Sequence, residues 1–226
     1  GVGYTGIRVR GVSSRSTNVT INGIPYNDSE SLGSFWVNLG DFTSSVESLQ
    51  LQRGVGTSTN GSGAFGASIN VLTQAVASEA SAEISNSFGS FNTRKHNVKF
   101  STGLINDHFE LSGRLSQINS VGYIDRASSN LKSYFLQGSY VDDNTLIKAL
   151  AFGGAEVTYQ AWNGIDAETM KTNRRFNSAG AIYNEDWTGI IGFYENETDN
   201  YQQHHNHLNK KKKLGNNWKS ETTFYY

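Results

Sequence analysis

Cysteine is absent from the 226 residues, and proline and methionine occur once each. Without cysteine there is no disulfide framework, no thiolate metal site and no cysteine nucleophile. No run of 18 apolar residues occurs, which excludes a transmembrane helix. The formal net charge is -1, so no global basic field exists to draw nucleic acid, and no nucleic-acid partner is expected. A transmembrane β-barrel is not excluded. Its strands alternate lipid-facing and lumen-facing side chains, so mean hydropathy stays low. The chain opens at Gly1 without Met or a signal-like apolar stretch and closes on Thr223-Phe-Tyr-Tyr226 inside a strand-like segment. It is expected to be a piece of a longer protein.

What is abundant points to strands and turns. There are 24 Gly, 11 Tyr and 12 Phe, and β-branched and aromatic residues fit a pleated surface while Gly serves turns. Residues 1 to 75 hold short β-branched runs: Ile7–Arg10, Val19–Ile21, Val46–Leu51 and Ser68–Thr73. Asn22-Gly23 supplies a tight turn after the second. Asp41 to Leu49 reads, as an alternative, as a segment that begins as a short helix. A small α+β domain fits these pieces.

From about residue 80 the segments lengthen and alternate. In Phe109-Glu-Leu111-Ser-Gly113-Arg-Leu115 the odd positions are apolar or Gly and the even ones polar. Seven strands are expected, at 81–89, 93–103, 108–118, 132–141, 145–160, 200–213 and 218–226. Their linkers alternate: short around Asn106-Asp107, Asp142–Asn144 and Gly215–Asn217, long at 119–131 and 161–199. The short linker at 90–92 departs from this. Short turns on one side and long loops on the other are the topology of bacterial outer-membrane barrels. Seven strands would leave such a barrel open, with unpaired backbone groups at its edges. The fold class is therefore mainly β, a small α+β domain at 1–75 followed at 76–226 by an incomplete antiparallel transmembrane β-barrel meander.

Three stretches carry a family resemblance. Ile7-Arg-Val-Arg-Gly11 resembles an "I-x-I-R-G" element. Val19-Thr-Ile-Asn-Gly-Ile-Pro25 resembles "V-x-I-D-G-V-P", with Asn22 in place of Asp. Val46-Glu-Ser-Leu-Gln-Leu-Gln-Arg-Gly54, then Gly61-Ser-Gly-Ala-Phe-Gly66-Ala-Ser-Ile-Asn-Val-Leu-Thr73, resembles "I-E-x-I-E-V-x-R-G … Y-G-x-G-A-x-G-G-x-I-N-I-x-T". Order and spacing agree with the plug of TonB-dependent outer-membrane receptors. Ala67, Asn60 and Val55 depart from the pattern. The resemblance implies a barrel of about 22 strands blocked by the plug, located in the bacterial outer membrane. It implies import of a scarce solute, such as a metal chelate including siderophores, a vitamin or an oligosaccharide. The implied partners are TonB, which pulls a TonB box upstream of Gly1, outer-membrane lipid and the solute. It also implies that Arg10 and Arg53 pair with barrel carboxylates beyond Tyr226. A secreted or surface β-rich binding protein, such as an adhesin, is the alternative.

Other motifs are weaker. Gly61-Ser-Gly63-Ala-Phe-Gly66 matches G-x-G-x-x-G, but a strand rather than a helix is expected after it, so it is not read as a dinucleotide site. Phe35, Trp36, Tyr123, Trp162 and Tyr194 are candidates for stacking on a ligand ring, and surface aromatics also anchor barrels at membrane interfaces. Asn27 to Phe35 reads as an apical loop of the plug. His205 and His207 would share one strand face and could chelate a metal only with a third ligand. Lys210–Lys213 is placed near the periplasmic rim or in the lumen. No nucleophile elbow or acid–base pair is present, so neither an enzyme nor a cofactor is expected.

Overall fold

The computed structural model describes residues 2–54, 65–215 and 217–226. In the first part, Thr17–Ile21 forms β1. Asn22 and Gly23, both at positive φ, turn the chain into the short β2 (Ile24–Pro25). β3 (Val46–Arg53) pairs antiparallel with β4 (Ala67–Thr73), and β4 runs parallel to β1, giving the order β2-β1-β4-β3. Two 3-10 turns, Trp36–Leu39 and Phe42–Ser45, lie against this sheet. The second is the expected short helix, and it runs directly into β3. Ile7–Arg10 was expected to be strand-like but forms only an isolated bridge, Val9 to Val12. The reason is local: Arg10 and Gly11 both take positive φ and fold the chain back, with the Val12 N–H donating to the Val9 carbonyl at 3.0 Å.

The second part is one antiparallel meander. β5 (Ala80–Gly89), β6 (Thr93–Thr102), β7 (Phe109–Ser120), β8 (Ser129–Val141), β9 (Thr145–Tyr159), β12 (Thr198–Lys213) and β13 (Lys219–Tyr225) pair in that order, and β5 and β13 are the edges. Every strand begins and ends within three residues of the span expected from the sequence. The connection between β9 and β12 is more than a loop. It holds a six-residue helix, α1 (Ala167–Thr172), started by Asp166, whose carboxylate accepts from the Glu168 and Thr169 N–H groups. It also holds a hairpin of β10 (Ala181–Tyr183) and β11 (Ile190–Phe193).

The polarity of the meander is inverted relative to a soluble protein. Its covered face carries Ser112, Arg114, Ser116, Ser133, Gln137, Ser139 and Glu156, all buried. Its outer face carries Ile84, Phe88, Val98, Leu115, Leu136, Leu208 and Phe224, all exposed. The alternation around Phe109–Leu115 is the sequence form of this. Glu110, Ser112 and Arg114 are buried, and Phe109, Leu111 and Leu115 are exposed. A broad apolar outside over a polar inside is the arrangement of a membrane barrel wall.

The two parts share one core. Val19, Ile21, Ile69 and Val71 of the small sheet and Leu39 and Phe42 of its 3-10 turns pack with Phe135 of β8 and Leu150 and Phe152 of β9. Phe152 is 0% exposed, with ring centroids 5.3 Å from Phe42 and 6.2 Å from Phe135. Phe152→Ala should therefore remove about 3–5 kcal/mol of stability. Denaturant unfolding of the full-length protein measures it, and a loss under about 1 kcal/mol would mean that small sheet and wall do not share a core.

Candidate functional site: the contact between small domain and wall

At Gly40-Asp41 the small domain turns sharply. Asp41 adopts the left-handed backbone region at φ 56°, one that Asp tolerates better than most residues. As first residue before a helical turn, Asp41 would ordinarily cap it. Here no cap bond forms, and the carboxylate points at the wall. Its Oδ1 accepts from Lys95 Nζ at 2.5 Å and Ser44 Oγ at 2.7 Å. Its Oδ2 accepts from Ser116 Oγ at 2.6 Å and Asn97 Nδ2 at 2.7 Å. Arg114 Nη1 lies 3.6 Å from Oδ2, and both side chains are 2% exposed. Arg114 Nε donates to Ser45 Oγ at 2.6 Å, its Nη1 donates to Ser133 Oγ at 3.1 Å, and Ser133 Oγ donates to the Gly40 carbonyl. One carboxylate thus gathers donors from β6 and β7, while Arg114 ties in β8.

Burial pushes the Asp41 carboxyl up, but hydrogen bonds from Lys95, Ser116, Ser44 and Asn97 outweigh it and hold the group below its ordinary value. A depressed carboxyl contributes stability that is complete above its unfolded value and is lost as pH falls through the folded value.

Close backbone approach completes the contact. A side chain at Gly154 of β9 would place Cβ 2.4 Å from the Asn38 carbonyl, so the first 3-10 turn can seat on the wall only because Gly is there. Leu131 of β8 fits between Gly3 and Gly40, where added Cβ atoms would meet it at 2.7 and 3.0 Å. Tyr4 Oη and Thr158 Oγ1 are 2.7 Å apart at the long-loop end, and Lys148 Nζ donates to the Gln74 carbonyl at 2.9 Å toward the tight-turn end.

The long-loop connections are tied to each other. Asn177, 1% exposed, donates to the Asp125 and Gln160 carbonyls at 3.1 and 2.9 Å and accepts from the Ala179 N–H at 3.0 Å. Arg126 donates to the Asn177 carbonyl and lies 3.4 Å from the Phe193 ring centroid. Arg175 Nε donates to the Tyr123 carbonyl at 2.8 Å and is 3.2 Å from Asp125 Oδ1.

The residues singled out in the sequence fall in different places. Arg10 and Arg53 are exposed and form no ion pair among the described residues. Phe35 is half exposed, and its carbonyl accepts from Tyr26 Oη at 3.0 Å. Trp36 packs on the shared core and lies 5.5 Å from the Tyr26 ring. Tyr123 meets Phe91 edge-on at 5.5 Å, and Trp162 meets Tyr4 edge-on at 5.1 Å. Tyr194 is exposed, and its carbonyl accepts from Tyr159 Oη at 2.5 Å. Among the described residues no ring contact joins any two of these five. His205 and His207 do share a face. Both contact Phe152, at 4.9 and 5.0 Å, with 6.1 Å between the two imidazoles. No group of three or more metal-ligating side chains occurs among the described residues. Gly61 and Gly63 of the G-x-G-x-x-G match lie outside the described residues, and Ala67–Thr73 after it is a strand, as expected. The sequence reading missed Asp41, Lys95, Arg114 and Gly154. Strand parity places Lys95 and Arg114 inward, and an unmatched Asp in a Gly-Asp turn is the signal that pairs with them.

Comparison with known proteins agrees with this geometry. The family model of the TonB-dependent receptor plug domain matches residues 1–68. No curated protein matches. Among solved structures, the FpvAI–pyocin S2 complex is similar at 15% identity and TM-score 0.71, covering 96% of this chain and 28% of that one. The siderophore receptor PiuA from Acinetobacter baumannii is similar at 16% identity and TM-score 0.70, covering 100% of this chain and 31% of that one. The copper transporter OprC is similar at 15% identity and TM-score 0.68, covering 99% and 32%. The chain thus spans under a third of the length of these structures. Residues 1–68 match the TonB-dependent receptor plug domain, and the strands after them share the fold of the matching part of these solved structures. The family is one of receptors, not enzymes.

Asp41→Asn leaves Arg114 buried without its counter-charge, a change worth about 3–5 kcal/mol for a fully buried pair. Hydrogen exchange across Phe42–Ser45 should rise strongly in the variant. In the wild type the same protection should persist at neutral pH and fall only as the pH drops below the ordinary carboxylate range. Protection independent of both substitution and pH would mean that the carboxylate does not hold the plug.

Proposed function

We propose that this chain is part of an outer-membrane receptor that imports a scarce solute through TonB-driven movement of its plug. The division proposed is plug at residues 1–75 and barrel wall at 76–226. The observation that carries the reading is the plug seated on a polar inner wall through Asp41, with a shared core around Phe152. In a closed barrel, a plug seated in this way would leave no open aqueous path, so passage would require work on the plug. A metal chelate is the favoured solute class. The support is the fold likeness to siderophore receptors and to a copper transporter, together with the pinned long loops, which offer a fixed rim at the outer mouth. Phe35, Trp36, Tyr123, Trp162 and Tyr194 are proposed as ligand-facing aromatics. TonB, outer-membrane lipid and the solute are the proposed partners.

The full-length receptor should bind its solute with or without TonB and accumulate it only when TonB and the proton-motive force are present. Equal uptake in cells with and without TonB would make it a passive channel.

Arg10 and Arg53, exposed on this part of the plug, are proposed to meet carboxylates on wall strands outside this chain. Arg10→Ala with Arg53→Ala should make cells expressing the full-length receptor more permeable to large antibiotics. Unchanged permeability at normal receptor levels would remove that role.

A further inference from the structure

The run Lys210–Lys213 is not absorbed by the plug contact or by a ligand mouth. Strand alternation divides it. Lys211 and Lys213 share a face with His207 and Asn209, toward the plug. Lys211 Nζ pairs with Glu221 at 3.0 Å, and Lys213 Nζ donates to the Asp143 carbonyl at 3.1 Å. Lys210 and Lys212 share the other face with the exposed Leu208. Neither forms an ion pair among the described residues.

The register fixes their height on the wall. Lys210 stands opposite Ile147, Ile147 opposite Tyr140, and Tyr140 opposite Phe109. The Phe109 and Tyr140 rings are 5.2 Å apart, and His108 stacks on Tyr140 at 5.8 Å. This aromatic cluster closes the apolar band on the tight-turn side, where barrels carry their interfacial girdle. Lys212 lies two residues further toward the turn, where Trp218, 74% exposed, accepts at its carbonyl from the Leu214 N–H. A groove of about 400 Å³ between the β8–β9 and β12–β13 turns is lined by Lys212, Lys213 and Lys219 with Asp142, Asp143 and Glu221. Two of the three acids there are engaged through their carboxylates, and Asp143 accepts from Lys213 Nζ through its carbonyl. The Asp142 carboxylate accepts from the Asn144 and Thr145 N–H groups and from Tyr140 Oη, and Glu221 holds Lys211.

We infer that the tight-turn rim of the wall, through outward-facing Lys210 and Lys212, holds the anionic headgroups of phospholipids in the periplasmic leaflet. This rests on the outer-membrane barrel reading. A lysine at the edge of a lipid-facing band extends its stem along apolar surface and delivers its ammonium to the headgroup layer. Anionic phosphates at that depth supply the counter-charge that the protein withholds from these two side chains. The inward lysines have protein partners and take no part.

The test uses the full-length receptor in vesicles of phosphatidylcholine, alone or mixed with phosphatidylglycerol, with the thermal unfolding midpoint and the co-purifying lipid as readouts. Phosphatidylglycerol should raise the wild-type midpoint by several degrees and co-purify with the protein. Lys210→Gln with Lys212→Gln should lose most of both effects, and Lys210→Arg with Lys212→Arg should keep them. Lys211→Gln with Lys213→Gln should keep the lipid-dependent shift even if the absolute midpoint drops. Equal lipid shifts in the wild type and the outward glutamine variant overturn the inference, as does loss of the shift only in the inward variant. Failure of the wild type to insert into either vesicle overturns the barrel reading, and the headgroup rim with it.

Discussion

A carboxylate taken out of water must be surrounded by donors or be given up, and Asp41 is the point where this structure meets that demand. Its donors come from Ser44 of its own turn and from Lys95, Asn97 and Ser116 on two wall strands. Arg114, buried beside it, is itself satisfied by Ser45 and Ser133. Neither the plug turn nor the wall patch could be dry alone. Each has the charge or the donors that the other needs. Such a network favours one seated position over sliding alternatives, because a small displacement strands several buried polar groups at once.

The polar lining that makes this possible is also what makes the wall unusual. Ser112, Ser116, Ser133, Gln137 and Ser139 are buried where a soluble sheet would carry Val and Leu. Hydrophobic burial between plug and wall is therefore concentrated in the cluster around Phe42, Phe135 and Phe152. An apolar centre supplies adhesion and a hydrogen-bonded collar supplies position. A contact of this mixed kind separates differently in its two parts. Its polar part can exchange protein partners for water when opened, at smaller net cost than exposing an equal apolar area.

The wall was legible in the sequence because a strand with apolar side chains on one face and polar ones on the other writes its period directly into the residues. Phe109–Leu115 shows it plainly, and the loop parity follows from topology. The plug's β1 and β4 were visible as β-branched runs. Ile7–Arg10 looked the same and is not a strand, since the positive φ at Arg10 and Gly11 was decided by chain reversal and not by side-chain preference. The helix and hairpin between β9 and β12 were hidden, because short elements held by Asn177 and Arg126 have no long period to read. The contact itself was least legible. Asp41 and Arg114 are 73 residues apart in the numbering, and only the fold puts them face to face.

The parallel pairing of β1 with β4 has a mechanical consequence. Thr17 pairs with Ala67 and Ile21 with Val71, so the free end of β1 and the outgoing end of β4 lie at opposite ends of the ladder. β4 leads through Gln74 to the wall. Tension applied to the chain before β1, against a wall held still, loads all five paired positions in shear at once instead of peeling them one after another. A ladder loaded in shear yields only when its bonds fail together, so the plug sheet is the stiff member in that line of force. Compliance belongs to whatever lies in series with it, such as the turn at Arg10-Gly11, which has one bridge to lose.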